Sequence, residues 1–159
     1  MSKLSEHNLS LLFVCLGNIC RSPLAEAAFR QEAERIGLKI HMDSAGTGSW
    51  HIGAPPDKRA QEIARKHGID ISCYKGRQVS DKDFSTFSHI FTLDLGNLKS
   101  LQAMQPKDSK THVSLLLDIV PGKKGKAVAD PYYGGKKDFE RTWQEVSEAA
   151  KVFFSNYSD

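Results

Sequence analysis

The segment Val14-Cys15-Leu16-Gly17-Asn18-Ile19-Cys20-Arg21-Ser22-Pro23 decides how the rest of the chain is read. Before it runs Leu11-Leu12-Phe13-Val14, apolar at consecutive positions, as a strand buried on both faces is. After it, Pro23 leads into Leu24-Ala25-Glu26-Ala27-Ala28-Phe29, a helical pattern whose first turn tolerates proline because that amide is unpaired in any case. The stretch between is therefore a strand-to-helix turn. In such a turn the free amides of the loop and of the helix N-terminus converge on one anion, and the helix dipole adds favourable potential. Gly17 is expected to let the backbone curl closely. Arg21 presents a planar fork that matches two oxygens of a tetrahedral oxyanion. Cys15 falls at the base of this cradle, where N–H donors and a guanidinium favour the thiolate, the form that attacks. Ser22 is expected to hydrogen-bond the sulfur as it leaves. A lone cysteine in an apolar run is ordinarily a small buried hydrophobe. The Cys-x5-Arg-Ser spacing at a strand end, with Gly and Asn inside the loop, reverses that reading.

The rest of the composition sets limits. A chain of 159 residues, 40% hydrophobic and 26% charged, suits one domain over residues 1–159, with 1–8 expected to be disordered. Lys+Arg of 22 against Asp+Glu of 19 gives +3, too weak a bias for nucleic acid as a partner and compatible with anionic substrates. The opening Met1-Ser2-Lys3-Leu4-Ser5-Glu6-His7 lacks a long apolar core, and no later run approaches membrane-spanning length. A soluble protein without a membrane partner is expected. Three cysteines, an odd number without a secretion signal, argue against a disulfide framework and for the cytoplasm. The six histidines are scattered and none pairs with a cysteine at a metal-ligand spacing, so neither a metal nor a cofactor is expected.

Taken in order, the pattern predicts a strand over 11–15, a helix from about Pro23 to Ile36 ended by Gly37, and a strand over 40–45. Residues 46–56 form a Gly- and Pro-rich loop whose Trp50 is either a core plug or an exposed recognition surface. A helix follows over 57–67, closed by Gly68, then an irregular stretch over 69–79. Ser80 with Asp83 reads as the cap of a short helix. Strands over 89–93 and 112–117 flank a helix over 94–103. Lys123, Lys124 and Lys126 lie in a loop read as solvated surface. The last helix, 138–157, places Phe139, Trp143, Val146, Ala150, Phe153 and Tyr157 on one stripe. Four strands alternating with helices predict an α/β fold, an open parallel sheet with helices on both faces and ligands at the carboxyl ends of the strands. Asp130, in Asp130-Pro131-Tyr132-Tyr133-Gly134-Gly135, is the candidate proton donor. Alone, an Asp-Pro pair would read as a turn starter.

The Cys15-to-Pro23 text resembles the low-molecular-weight protein tyrosine phosphatases, and the likeness runs on through Asp94-x-x-Asn97 to Asp130-Pro131-Tyr132-Tyr133. The resemblance implies a sheet in the order 2-1-3-4 and hydrolysis of phosphotyrosine and small aryl phosphates, with acid phosphatase activity. It implies Cys15 as nucleophile, Arg21 as phosphate ligand and Asp130 as general acid and then base. It further implies substrate contacts from Leu16, Gly17, Asn18, Ile19, Cys20 and Ser22, and aromatic walls from Trp50, Tyr132 and Tyr133. Asn18 and Ser44 match positions that brace the loop. Cys20 matches a second cysteine that protects the first by reversible disulfide formation. The implied partners are phosphotyrosine-containing proteins, met by a monomer or a weak self-associate. One departure is visible: Cys73 stands where many members carry a histidine, which puts the hydrogen-bond support of Asn18 in question.

Other readings compete. Arsenate reductases share the Cys-x5-Arg loop but need two further downstream cysteines, and this chain has only Cys73. Protein-arginine phosphatases resemble the sequence more closely but carry threonine where Ile19 stands. A branched apolar residue and Trp50 suit a phenyl ring. A phosphate-binding module without catalysis has no support where Cys15, Arg21 and Asp130 are all present.

Overall fold

The structure, a computed structural model, describes residues 9–156. The expected disorder of residues 1–8 and the inward Tyr157 lie outside the described residues. β1 (Ser10–Cys15) is buried from Leu11 onward, as its unbroken apolar run requires. It pairs in parallel with β2 (His41–Gly46) on one side and β3 (His89–Thr92) on the other. β4 (His112–Leu115) adds to β3, so the sheet order is β2-β1-β3-β4. Both neighbours of β1 diverge from it in sequence, which puts the end of β1 at the topological switch point.

Helices cover both faces. Leu11, Phe13 and Cys15 point with Phe91 and Leu93 into a core shared with α1 (Arg21–Arg35) and α5 (Lys136–Ser155). Leu12, Val14, Ala45 and Ile90 point the other way, against Phe84 of α3 (Asp83–Thr86) and Leu101 of α4 (Leu95–Met104). α2 (Lys58–Lys66) packs beside α5 and α1. Phe29 is the hub of the larger core, with ring centroids 4.7 Å from Phe13 and 5.8 Å from Phe153 and from Phe154. Burying an aromatic ring of this size contributes about 1.5–3 kcal/mol. That packing holds α1 over β1, so the helix N-terminus meets the end of the strand. Trp143 is core as expected, stacked on His67 at 4.9 Å.

Several boundaries differ from the sequence pattern. α1 begins at Arg21, two residues before Pro23, and every residue from Arg21 to Phe29 is buried. Glu26 and Glu32 are buried because sheet, α2 and α5 enclose the helix; each pairs with an arginine, Arg30 or Arg35. β4 stops at Leu115, and the run Leu116–Ile119 turns into a 3₁₀ helix that buries Leu116 and Leu117 against α5. Consecutive apolar residues alone do not separate a strand end from a buried turn. Asp57 caps α2 by accepting from the Arg59 amide, and α5 starts at Lys136 because Asp138 Oδ2 accepts the Gly135 amide at 2.8 Å. At Ser80 only the acid half of the expected cap is made: Asp83 Oδ2 accepts the Ser80 amide, and the helix starts at Asp83 itself.

Partial burial, with His112 alongside, lowers the His89 pKa to about 4, so this imidazole is neutral at pH 7. Among the described residues, no helix is long and apolar enough to cross a membrane.

Candidate active site

The loop Leu16–Cys20 leaves β1 across the end of β2. A Cβ on Gly46 would lie 2.7 Å from the Leu16 carbonyl oxygen, so the crossing needs a residue without a side chain there. The loop carbonyls are taken up on its outer side: Cys15 O accepts from Thr47 N at 2.9 Å, Leu16 O from Gly48 N at 2.9 Å, and Ile19 O from Asp57 N at 2.8 Å. With carbonyls turned out, N–H groups gather inside. No side chain caps α1 and its first turn holds no acid, so its leading amides are left for an external anion.

The tight curl lies one residue beyond the expected place. Asn18, not Gly17, has the left-handed backbone, with φ +59°, a conformation that asparagine tolerates better than most residues. Gly17 answers a different demand: a Cβ there would meet the His51 ring at 3.2 Å. Asn18 is held on three sides. Its Oδ1 accepts the Arg77 amide at 3.0 Å, and its Nδ2 donates to Ser22 Oγ at 2.8 Å and to Ser44 Oγ at 3.0 Å. A backbone N–H only donates, so the atom it meets must be the amide oxygen, which turns the NH2 toward the two hydroxyls. Ser22 Oγ therefore accepts from Asn18 and is free to donate to Cys15 Sγ, 3.1 Å away. The Asn18 backbone N–H donates to the same sulfur at 3.2 Å. Cys73 takes no part: it is exposed, and the support in question comes from the backbone of Arg77.

Arg21 is 4% exposed, in the first turn of α1. Its Nη1 is fixed by Asp94 Oδ2 at 2.9 Å and by the Val128 carbonyl at 3.0 Å. The Nε and Nη2 edge is left facing inward, with Nη2 3.8 Å from Asp130 Oδ2. Asp130 itself is half exposed, its Oδ1 accepting the Tyr132 amide at 3.1 Å. A hollow of about 270 Å3 is lined by Cys15, Leu16, Gly17, Ile19, Cys20, Arg21, Trp50, His51, Asp130, Tyr132 and Tyr133. Other hollows are roomier, such as one of about 510 Å3 between Lys123 and α5 and one of about 950 Å3 beside Phe84 and His112, but neither is lined by a cysteine. At the mouth, Trp50 is 71% and Tyr133 95% exposed, and Tyr132 meets Tyr133 edge-on at 4.9 Å. Trp50 is thus no core plug; it folds over Gly48, where a Cβ would be 2.0 Å from its ring.

The structure brings Cys15, Leu16, Gly17, Ile19, Cys20, Arg21, Trp50, Asp130, Tyr132 and Tyr133 around this one hollow, with Asn18, Ser22 and Ser44 behind its floor. Four residues of the supporting frame were not picked out. Asp94, noted only as part of a matching pair, holds Arg21. The Arg77 guanidinium spans Asp43 at 2.8 Å and Asp83 at 2.9 Å, which pins the amide that orients Asn18. Buried Glu26 accepts from the Ser44 hydroxyl, and burial pushes its carboxyl up against the pull of that bond and of Arg30. His51 walls the loop at Gly17. None has a local signal except Asp94, whose position as a cap before Leu95 was readable. Around Cys20, burial, Asp57, Cys15 and Asp130 push the thiol up.

Residues 10–158 match the family model described as "Low molecular weight phosphotyrosine protein phosphatase". A low molecular weight protein-tyrosine-phosphatase of Bacillus subtilis is 48% identical over 150 residues, 93% of this chain and 95% of that protein. The crystal structure of a protein tyrosine phosphatase from Entamoeba histolytica superposes with a TM-score of 0.87 at 36% identity, covering 94% of this chain and 96% of that one. The Drosophila arginine phosphatase superposes with a TM-score of 0.89 at 31% identity, covering 95% and 99%.

Proposed function

The chain belongs to the low molecular weight phosphotyrosine protein phosphatase family, hydrolases of phosphoric monoesters, and from that premise we propose that it cleaves phosphotyrosine through a phosphorylated Cys15. One observation carries this reading: Cys15 Sγ, with hydrogen-bond donors from Asn18 N and Ser22 Oγ, shares one hollow with the Arg21 fork and Asp130.

In the first step the Cys15 thiolate attacks phosphorus, the P–O bond to the phenol breaks, and protonated Asp130 gives its proton to the departing oxygen. The loop amides from Leu16 to Cys20 and the inner edge of Arg21 hold the three equatorial oxygens as charge builds on them. In the second step Asp130, now a carboxylate, takes a proton from water as that water attacks phosphorus. The S–P bond breaks, and the Ser22 hydroxyl donates to the returning sulfur. Asn18 and Ser44 keep the loop in its left-handed turn. Trp50, Tyr132 and Tyr133 flank the substrate ring, with Ile19 against its face.

Phosphate release from matched phosphotyrosine and phosphoarginine peptides tests the substrate class. The tyrosine ester is expected to turn over at least tenfold faster in kcat/KM, because an apolar Ile19 offers no hydrogen bond to a guanidinium and one such unmatched polar group is worth about 1–3 kcal/mol. Preference for phosphoarginine would overturn the reading of Ile19 and Trp50.

We propose further that Cys20 is the redox partner of Cys15. Peroxide oxidises the Cys15 thiolate to the sulfenic acid; Cys20 sulfur then displaces water from it, forming the disulfide. Wild-type activity lost to peroxide is expected to return with dithiothreitol, and that of Cys20→Ser is not. Because the Cys20 thiol is pushed up, the attacking thiolate is scarce at neutral pH. Closure should therefore quicken about tenfold per pH unit above neutrality. Full recovery of Cys20→Ser would sink the assignment.

A further inference from the structure

We propose that Arg59, which lies outside the hollow, is a positioning residue for the general acid, tying the Asp130 loop to the Cys15 loop. The inference rests on the reading of Asp130 given above. Arg59 is the second residue of α2, and its guanidinium is gripped by the cap of that helix: Nε meets Asp57 Oδ1 and Nη2 meets Asp57 Oδ2, each at 3.0 Å. The same Asp57 donates its backbone N–H to Ile19 O at 2.8 Å, so the pair is anchored on the Cys15 loop. In this pair the hydrogen bond from Arg59 holds the Asp57 carboxyl below its usual range.

From that anchor the guanidinium reaches the other loop. Nη1 donates to Gly134 O at 3.2 Å, and the plane lies 5.5 Å from the Tyr132 ring and 4.7 Å from the Phe139 ring in the first turn of α5. Gly134 and Tyr132 belong to one rigid unit with Asp130. The Asp130 carboxylate accepts the Tyr132 amide at 3.1 Å, and Gly134 N closes a turn on Pro131 O at 2.8 Å. At its near end the chain is anchored at Val128, whose N–H donates to Leu93 O at 2.8 Å and whose carbonyl accepts from Arg21 Nη1 at 3.0 Å; beyond that anchor the ties lengthen, with Thr142 Oγ1 at 3.5 Å from Ala129 O and Arg21 Nη2 at 3.8 Å from Asp130. Tyr133, between the two ends, is 95% exposed. Between Asp130 and Gly134, Arg59 is thus a closer polar tie to the frame that holds the nucleophile than the 3.8 Å contact of Asp130 with Arg21. A general acid works only within hydrogen-bond reach of the oxygen it protonates, and a displacement of about 1 Å loses about a hundredfold. Arginine suits the task because its fork binds Asp57 in two places while its face stacks on two rings, which a lysine point charge does not do.

The test is a leaving-group series. kcat/KM, which reports phosphoryl transfer to Cys15, is measured for aryl phosphates from 2,4-dinitrophenyl to phenyl phosphate. The enzymes compared are wild type, Arg59→Met, Arg59→Lys, Asp130→Asn and the Arg59→Met/Asp130→Asn double variant. Arg59→Met is expected to lose about ten- to a hundredfold on phenyl phosphate and little on the dinitrophenyl ester, which departs without a proton. Arg59→Lys should fall between, and inhibition by inorganic phosphate should be unchanged in both. In the Asp130→Asn background the Arg59 change should cost nothing more. An equal loss across the series, or a further tenfold loss in the double variant, would overturn the inference, since Arg59 would then act on binding or on the fold at large. If Asp130→Asn alone shows no leaving-group dependence, the general-acid reading fails instead, and it does so before Arg59 is altered.

Discussion

Cys15→Ser is expected to lower kcat/KM for an aryl phosphate by about five orders of magnitude while leaving the affinity for inorganic phosphate within a few-fold. The two halves of the result come from different parts of the loop. On the proposed reading phosphate is held by backbone amides and by Arg21, whose Nη1 stays anchored on Asp94 and Val128 whatever stands at position 15. Catalysis needs an electron pair at the base of the cradle, and a serine hydroxyl stays protonated where a thiol ionises. The Ser22 hydroxyl 3.1 Å from the sulfur does not change this, because an alcohol is far too weak a base to take the proton from another alcohol. A serine oxygen in that place meets two donors, Ser22 Oγ and Asn18 N, and no general base among its hydrogen-bond partners. Steady-state assays, with phosphate binding followed by calorimetry and the melting temperature as a control for folding, check both halves. Activity above about one per cent of wild type would mean that another group attacks phosphorus.

Much of this site is legible in one dimension because it is built by neighbours in sequence. The apolar run ending at Cys15, the asparagine and glycine, and the helix that follows determine local backbone, and local backbone gathers the amides. The cap at Asp57 is readable for the same reason. What escaped notice depends on partners far along the chain. Asn18 leans on the amide of Arg77, 59 positions away, and every residue but proline has an amide, so no residue type marks the place. The missing histidine at position 73 pointed to a question about Asn18, but the backbone at Arg77 supplies the contact whatever side chain stands at 73. The apolar stripe of α1 does not foretell that Glu26 and Glu32 are buried, because the helix is enclosed on several sides and only Arg30, Gln31, Glu34 and Arg35 reach solvent. Arg59 reads locally as an ordinary charged position of an amphipathic helix; its reach to Gly134 crosses 75 positions and depends on how α2 and α5 pack.

Arg21→Lys is expected to lower kcat by about three orders of magnitude or more, with a smaller loss in phosphate affinity. The guanidinium serves two sides at once. Nη1 satisfies Asp94 and the Val128 carbonyl behind the site, while Arg21 also lines the hollow, where on the proposed reading its other edge would pair with two phosphate oxygens. A lysine ammonium keeps the charge but is a single point. If it stays with Asp94 it leaves the phosphate, and if it turns to the phosphate it withdraws the donor that Asp94 Oδ2 and the Val128 carbonyl share. The loss falls mainly on kcat because the equatorial oxygens gain charge and flatten into a plane only as phosphorus transfers, which is when a planar fork fits best. Arg21→Ala should lose as much activity and also about 3 kcal/mol of stability, since it strips a partner from Asp94, whose side chain is 31% exposed, and opens a cavity in the first turn of α1. Asp94→Asn separates the two roles. It keeps the arginine and a hydrogen-bond acceptor but removes the charge that fixes Nη1, so a loss of about tenfold is expected, well short of that for Arg21→Lys. Kinetics on a fast aryl phosphate, with urea titrations of the same variants, distinguish these outcomes. An Arg21→Lys enzyme within tenfold of wild type would show that charge alone suffices, and that the paired hold of Asp94 and Val128 on Nη1 does not shape the reaction.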